Sequence, residues 1–442
     1  MKLLLKNIGK FKEVSLIING ITVIGGENST GKSTISKTIF STVKAYQEAE
    51  EFAYIEKKEL KYLLMDLEKI IWLLVRRKLS RSISKVLDNL MEDIRFLRYE
   101  DDVNIKTISN IQNNITLLLN ELSEYINTLD RRESKRFKKR YIIDLRKIGE
   151  ELKNDIIPKQ QKNLGNLENS LNFQIRKNFR RQFSNLNTKE ISQIIFMKEK
   201  DKKVFDIEVK NNKCIKFKCV EEPKIREISY IESPLVLNKI KLFDSLKYLS
   251  PRIQRRIYIP YIEEDIVKKL RIQLNLDINN NAKNFIDEIE KVIGGKFEVE
   301  EEDIIYIEKG KTFYPINVAS GIKSFGIIYL LLKNGWLQDN THMLIFDEPE
   351  VHLHPKWQLR YAEILVKLHK YFNCYILINS HSPDFIQAIR YYGNKYKVID
   401  NIHFYFAEEK EGNSTIQLVD FELNKIFASL IEPLESMEDL PY

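Results

Sequence analysis

Across 442 residues the chain has only three cysteines, Cys214, Cys219 and Cys374, too few for a disulfide framework and without zinc spacing. They fit reduced thiols, which sets the expectation of a cytoplasmic protein. Long apolar runs are missing too. The stretch from Leu60 to Val75 is broken by Lys61, Asp66, Glu68 and Lys69, so no membrane contact is expected. Met1-Lys2-Leu3-Leu4-Leu5-Lys6 is too short and too soon interrupted for a signal peptide. Neither charge sign dominates: 71 Lys and Arg against 63 Asp and Glu leave +8, a weak pull toward an acidic partner. There is no internal repeat. Glycine and proline nearly vanish between about 45 and 187, where only Gly149, Pro158 and Gly165 occur.

What fills that stretch is helical periodicity. Three stripes with spacings of three and four residues each mark one helix face. The first runs Leu60, Leu63, Leu67, Ile70 or Ile71, and Leu74; the second Ile83, Leu87, Leu90, Ile94 and Leu97. The third runs Ile108, Ile111, Ile115, Leu118, Leu122, Ile126 and Leu129. They are wider than a strict a/d seam, which predicts a bundle or short antiparallel arms. The basic runs Arg131–Arg140 and Arg176–Arg181 fall in this region and suit DNA or RNA phosphates, an acidic protein, or a solvated helix face.

On either side the texture differs. Residues 1–44 read as two strands, a glycine loop and a helix. Residues 188–317 read as antiparallel strands and helices, with an Asn211-Asn212 hairpin, a helix over Ala282–Ile293 and a meander through Phe297–Val299, Ile304–Ile307 and Phe313–Ile316. Residues 318–442 alternate helix and buried parallel strand, including Met343–Phe346 and Tyr375–Ile378. The expected fold is α/β, one head assembled from both chain ends with an antiparallel β lobe, interrupted by the helical insertion 45–187.

Gly26-Glu27-Asn28-Ser29-Thr30-Gly31-Lys32-Ser33 fits G-x-x-x-x-G-K-[ST], directly after the apolar run Ile21–Ile24 and before a helix-compatible segment opening at Thr34. Glycines let backbone N–H groups curl toward phosphate oxygens, and a helix N-terminus adds favourable partial charge. Lys32 is expected at the β- and γ-phosphates of ATP and the Ser33 hydroxyl on Mg²⁺. Met343–Phe346 ends in Asp347-Glu348, the Walker B pattern: Asp347 is the expected second Mg²⁺ ligand and Glu348 the residue that polarises the attacking water. His381 leaves the end of the neighbouring apolar strand, where it suits a γ-phosphate contact. Ser320-Gly321 with Lys323 stands before a strongly apolar helix and suits an anion. Glu350, His352 and His354 alternate, which in extended backbone would put all three on one face as an imitation metal site. A dimer-interface loop is the better reading of that segment.

This order of motifs resembles the ABC-type ATPase heads of the SMC, RecF and OLD-like group. More narrowly, Asp347-Glu348-Pro349-Glu350-Val351-His352-Leu353-His354-Pro355 with Asn379-Ser380-His381-Ser382-Pro383 resembles the stand-alone AAA-type ATPases of bacterial anti-phage systems such as PARIS, Septu and retron-associated modules. The resemblance implies that Ser320, Gly321 and Lys323 complete the partner's nucleotide site in an ATP-sandwiched homodimer or higher oligomer. It also implies an ATPase that senses infection and controls a separate effector, a nuclease. The alternative it implies is a DNA-maintenance ATPase that clamps nucleic acid. Two departures stand out. The glutamine such heads carry is missing where Ser229-Tyr230-Ile231-Glu232-Ser233-Pro234 stands, and no Asp-x-Asp cluster follows His381, so no intrinsic nuclease is expected.

Overall fold

The structure is a computed structural model. It describes the chain except residues 78, 100–104, 154–165, 186, 199–200, 248–257, 275–278, 301–302, 338–339, 411 and 431–442. The described chain divides into two compact units, one of residues 1–47 and 171–442, the other of residues 48–170.

The first unit is a mixed α/β fold built on one large sheet. Its amino-terminal part holds three strands rather than the two read from sequence: β1 (Lys2–Ile8), β2 (Phe11–Ile17) and β3 (Ile21–Gly26). β1 and β2 alternate between buried and exposed positions, whereas β3 is buried at every residue. That difference separates a half-covered antiparallel pair from a strand covered on both faces. Helix α1 (Lys32–Gln47) follows β3.

The second unit begins with α2 (Ala49–Val75), α3 (Arg81–Tyr99), α4 (Ile105–Asn127) and α5 (Arg131–Phe137). A π-helical turn, Lys138–Ile142, leads into α6 (Ile143–Glu151). The unit has its own core, in which Leu67, Ile71, Leu74, Ile83, Leu87, Leu90, Ile111, Ile115, Leu118 and Leu122 pack together. The three periodic stripes supply these residues. Leu60, Leu97 and Ile108 lie outside the residues whose side chains are described.

Helix α7 (Asn166–Phe179) returns the chain to the first unit, so residues 171–187 sit with the sheet and not with the helical unit. Its basic run goes with it: Lys177 pairs with Glu264 at 2.8 Å, and the Arg180 guanidinium lies 3.9 Å from the centre of the Tyr258 ring. Strands β4 (Ser192–Met197), β5 (Lys203–Lys210) and β6 (Lys213–Cys219) then extend β1 antiparallel. Asn211 and Asn212, with φ of 51° and 61°, make the tight turn that short Asn side chains tolerate.

β7 (Glu227–Ile231) departs from the antiparallel reading of its region. It runs parallel to the Walker B strand β11 (His342–Asp347) and ends the sheet. Between them come α8 (Ile240–Lys247), α9 (Tyr261–Arg271), α10 (Asn280–Ile293) and α11 (Ser320–Lys333), with a separate meander of β8 (Lys296–Glu300), β9 (Asp303–Glu308) and β10 (Lys311–Phe313). Asn279 caps α10 and Gly294, at φ 73°, ends it. The meander's last strand stops at Phe313, because Pro315 opens a 3-10 turn where sequence reading had continued the strand to Ile316.

After β11 come α12 (Pro355–Phe372), β12 (Tyr375–Ser380), α13 (Pro383–Lys395), β13 (Ile402–Lys410) and β14 (Asn413–Leu418). The sheet order is β6-β5-β4-β1-β2-β14-β13-β3-β12-β11-β7. Its parallel half, β13 to β7, has its carboxyl ends in register: Ser380 lies opposite Gly25 and Asp347 opposite Asn379. Ligands of open α/β sheets collect at that edge. No described helix is long and apolar enough to cross a membrane.

Candidate functional site

The glycine loop leaves the end of β3 with a backbone that side chains would block. Gly26 has φ 150°, and a Cβ there would lie 2.1 Å from the Ala407 carbonyl oxygen. Gly31 has φ 88° and would meet the Phe11 ring at 2.7 Å. Ser29 also takes positive φ, 65°, at the loop's tip. Lys32 curls back so that its Nζ donates to the carbonyls of Gly26 at 2.7 Å and Glu27 at 2.6 Å. Burial lowers the pKa of this ammonium, opposed by the nearby carboxylates of Glu348, Asp347 and Glu350. Thr30 Oγ1 donates to the Glu27 carbonyl, Glu27 accepts from Ser429 through its carboxylate, and the Thr34 amide closes on Gly31.

Loop and Walker B strand meet at Ser33, whose hydroxyl donates to Asp347 Oδ1 at 3.1 Å. Asp347 is buried and is held by two further donors that sequence reading gave no role. The Tyr230 hydroxyl donates to Oδ2 at 2.6 Å, and Asn379 Nδ2 donates to Oδ1 at 2.8 Å while also reaching Ser36. Burial, with Asp347 and Glu232 adding to it, raises the Tyr230 pKa well above the ordinary tyrosine range, so the group stays a donor. Tyr230 belongs to the Ser229–Pro234 segment, which has no glutamine. Its signal in the sequence was weak: a tyrosine near the end of a short apolar run.

Glu348 follows with φ 54°, its side chain 40% exposed, and its backbone N–H bonded to the Asn379 carbonyl at 2.9 Å. His381 Nδ1 lies 3.6 Å from Glu348 Oε1 and 3.7 Å from Glu350 Oε1. Glu350 is buried and points inward, accepting from Ser380 Oγ at 2.7 Å and from the His381 amide at 3.0 Å. Burial raises its pKa, although those two bonds pull the other way. Three polar atoms here are buried without a hydrogen-bond partner: Asn379 Oδ1, Glu350 Oε2 and His381 Nδ1. Orphaned polar atoms are costly unless a ligand or water satisfies them.

The extended-face arrangement of Glu350, His352 and His354 is not found. Glu348 and His352 both take positive φ, and the chain turns so that Val351 N–H bonds Glu348 O and Leu353 N–H bonds Glu350 O. Glu350 is thereby buried, while His354 caps α12 through Lys356 N–H. Among the described residues no group of three His, Cys, Asp or Glu is placed to hold a metal.

Ser320 and Gly321 open α11. Ser320 Oγ donates to the His352 carbonyl at 3.0 Å, and a Cβ on Gly321 would approach Trp357 at 3.1 Å. Lys323 is buried, with its ammonium on Asn238 Oδ1 at 3.1 Å, and burial lowers its pKa. None of the three lines the cleft of about 620 Å³ above the glycine loop, which is formed by Asn28–Thr34 with Gly9, Lys10, Gln182, Asn185, Asn187, Glu348 and Gly412.

A parallel sheet, a glycine loop entering a helix and an acid-ended strand one place further along the sheet define a P-loop nucleotide-binding fold. The chain belongs to the AAA ATPase domain family, whose model matches residues 1–386. It is similar to the SMC head domain from Thermotoga maritima at 10% identity, covering 95% of this chain and 98% of that one with a TM-score of 0.37. It is also similar to a Pyrococcus furiosus Smc head domain with an extended coiled coil bound to the C-terminal domain of ScpA, at 10% identity, 99% of each chain and a TM-score of 0.33. The ADP conformation of an ATP-binding cassette of an ABC transporter aligns at 12% identity over 100% of both chains, with a TM-score of 0.32. No curated protein matches the chain.

Proposed function

We propose that the protein binds and hydrolyses ATP with Mg²⁺. The observation that carries this reading is the 3.1 Å contact between Ser33 and Asp347, beside three buried polar atoms without partners. The residues fit the ligands: Ser33 and Asp347 offer hard oxygen donors, and Gly26 and Gly31, where a Cβ would clash, let the loop backbone curl for a phosphate. Bound Mg²⁺ neutralises charge on the phosphates. Lys32 exchanges its two loop carbonyls for the β- and γ-phosphates, while Tyr230 and Asn379 hold the Asp347 carboxylate in place. Glu348, the exposed carboxylate at the strand end, orients water, and His381 donates to the γ-phosphate. Two copies sandwich the nucleotide, with Ser320, Gly321 and Lys323 of each completing the other's site. For Lys323 this requires leaving Asn238.

Residues 1–47 and 171–442 form the ATP-handling head, and residues 48–170 the lever or recognition element. The output, on the strength of the Asp347–Pro355 and Asn379–Pro383 motifs, is control of a separate effector nuclease in anti-phage defence. The second reading is a nucleic-acid clamp, to which the exposed basic residues Arg131, Arg132, Lys135, Arg136, Lys138 and Arg140 lend weight. Stable co-purification of a protein partner from the native host supports the first; hydrolysis stimulated by DNA alone supports the second.

Hydrolysis itself is tested by two variants. Glu348→Gln is expected to keep ATP bound and to lose at least about 100-fold in turnover, the size of a general-base contribution. Lys32→Ala is expected to lose nucleotide binding. Wild-type turnover in Glu348→Gln would remove that residue from the mechanism.

A further inference from the structure

The helical unit carries a charge feature that the nucleotide site does not use and that sequence order conceals. α3 and α4 are antiparallel: Ser82 Oγ donates to Glu121 Oε2 at 2.7 Å, and Asn114 Nδ2 donates to Asp93 Oδ2 at 3.2 Å. The α2–α3 and α4–α5 connections therefore emerge at the same end. Two contacts lock them together. The Arg77 guanidinium lies 5.2 Å from the Phe137 ring centre and 5.3 Å from that of Tyr141, and Phe137 in turn packs on Tyr125 of α4 at 5.6 Å.

This joins Arg76, Arg77 and Arg81 to the six exposed basic residues of the 131–140 run, giving nine exposed cations at one end of one unit. None of them forms an ion pair among the described residues. Asp130 uses its carboxylate on the backbone amides of Arg132 and Glu133 instead, which leaves Glu133 as the exposed acid within the run. Like charges gathered at one end, screened only over a Debye length of roughly 8 Å at physiological salt, repel one another until a polyanion covers them.

We propose that this end of the helical unit is a nucleic-acid-binding surface that engages the sugar–phosphate backbone. Seven of the nine cations are arginine, whose planar fork matches phosphate geometry bidentately. Trp72, 55% exposed and one turn before Arg76 on α2, offers a ring on which an unpaired base stacks. An acidic protein is the competing occupant. The arginine excess and the exposed indole favour the polynucleotide. The surface lies within residues 48–170 and is independent of ATP chemistry, so its test needs no nucleotide.

The experiment measures fluorescence anisotropy of the full chain, without ATP, against a mixed-sequence single strand of about 30 nucleotides and the matching duplex. Affinity is expected to fall about a thousandfold between roughly 50 and 200 mM salt, as six or more phosphate contacts require. Arg76, Arg81, Arg132 and Arg136 make no ring contact, so reversing all four to Glu tests charge without removing the Arg77 lock. That variant is expected to bind at least about 100-fold more weakly, with the log–log salt slope reduced by about 4. The same four changed to Gln, with an unchanged melting temperature, should lose about tenfold and guard against misfolding. Trp72→Ala distinguishes the sources: loss on the single strand alone identifies unpaired bases, and equal retention on both probes identifies the sugar–phosphate backbone alone. Failure of the wild type to bind either probe at low salt, wild-type binding by both four-site variants, or equal competition by polyglutamate of matched charge would overturn the proposal, the last in favour of an acidic protein.

Discussion

At the scale of single residues, Asp347 shows how an exposed-looking motif is anchored. Its two oxygens accept from Ser33, Tyr230 and Asn379, three donors on three different elements. A hydrogen bond to a buried charge is worth about 1.5–3 kcal/mol, so losing one leaves the carboxylate looser as well as less stable. Tyr230→Phe keeps the ring, and its edge contact with Phe40, while deleting the donor. It is expected to raise the Mg²⁺ concentration for half-maximal hydrolysis about tenfold, the usual cost of removing a group that orients a metal ligand. A magnesium titration of hydrolysis checks this. An unchanged midpoint would leave Tyr230 as packing alone.

At the scale of elements, β7 and β11 are tied at the end opposite the nucleotide edge by buried polar groups. His342, at the start of β11, faces Ser229 Oγ at 3.1 Å through Nε2 and the Trp336 carbonyl at 2.8 Å through Nδ1. Beside it Lys269 bridges Glu227 at 2.6 Å and Asp265 at 2.8 Å, and Lys44, near the end of α1, reaches both acids. Burial pushes the Glu227 carboxyl up, but Lys269 and Lys44 outweigh it and hold that group well below the ordinary carboxylate range. Burial and the Lys269 charge lower the His342 pKa to about 4, against 6.5 for a free imidazole. Between those values the unfolded chain binds a proton that the folded chain refuses. Stability from this group is therefore complete above pH 6.5 and is lost as pH falls toward 4, by about 3 kcal/mol. Urea unfolding followed by tryptophan fluorescence should show that His342→Gln flattens the pH dependence by roughly that amount. An identical slope in wild type and variant would refute the linkage.

At the scale of the whole molecule, Ser320, Gly321 and Lys323 do not line the cleft above the glycine loop, and the proposed role for them is in a partner's site. If they serve a neighbour, Ser320→Arg should bind ATP yet not hydrolyse it. Mixed with Lys32→Ala protein, it should regain about one working site per heterodimer, as a two-fold shared site requires. Inactive heterodimers, once their formation is shown by mass, would place the catalytic set within one chain.

The sequence by itself determined what depends on neighbours a few residues apart. The G-x-x-x-x-G-K-S spacing, the apolar run ending in Asp347-Glu348 and the helical stripes of the insertion are local patterns, and local geometry reads them directly. The α/β class followed from their order. Tertiary structure decided whatever rests on contacts across long chain separations. It made β7 a parallel partner of β11, and it set the boundary between units at residues 47 and 171. It brought Tyr230 to Asp347 across 117 positions and Asn379 to Ser36 across 343. It turned Glu350 inward, where alternation in extended backbone would put it on one face with His352 and His354, and laid Arg77 against Phe137 to gather two basic segments at one end. The physical reason is common to all of them. Burial and hydrogen-bond satisfaction are properties of the folded surroundings, and a side chain carries no sign in its own segment of which distant group will share them.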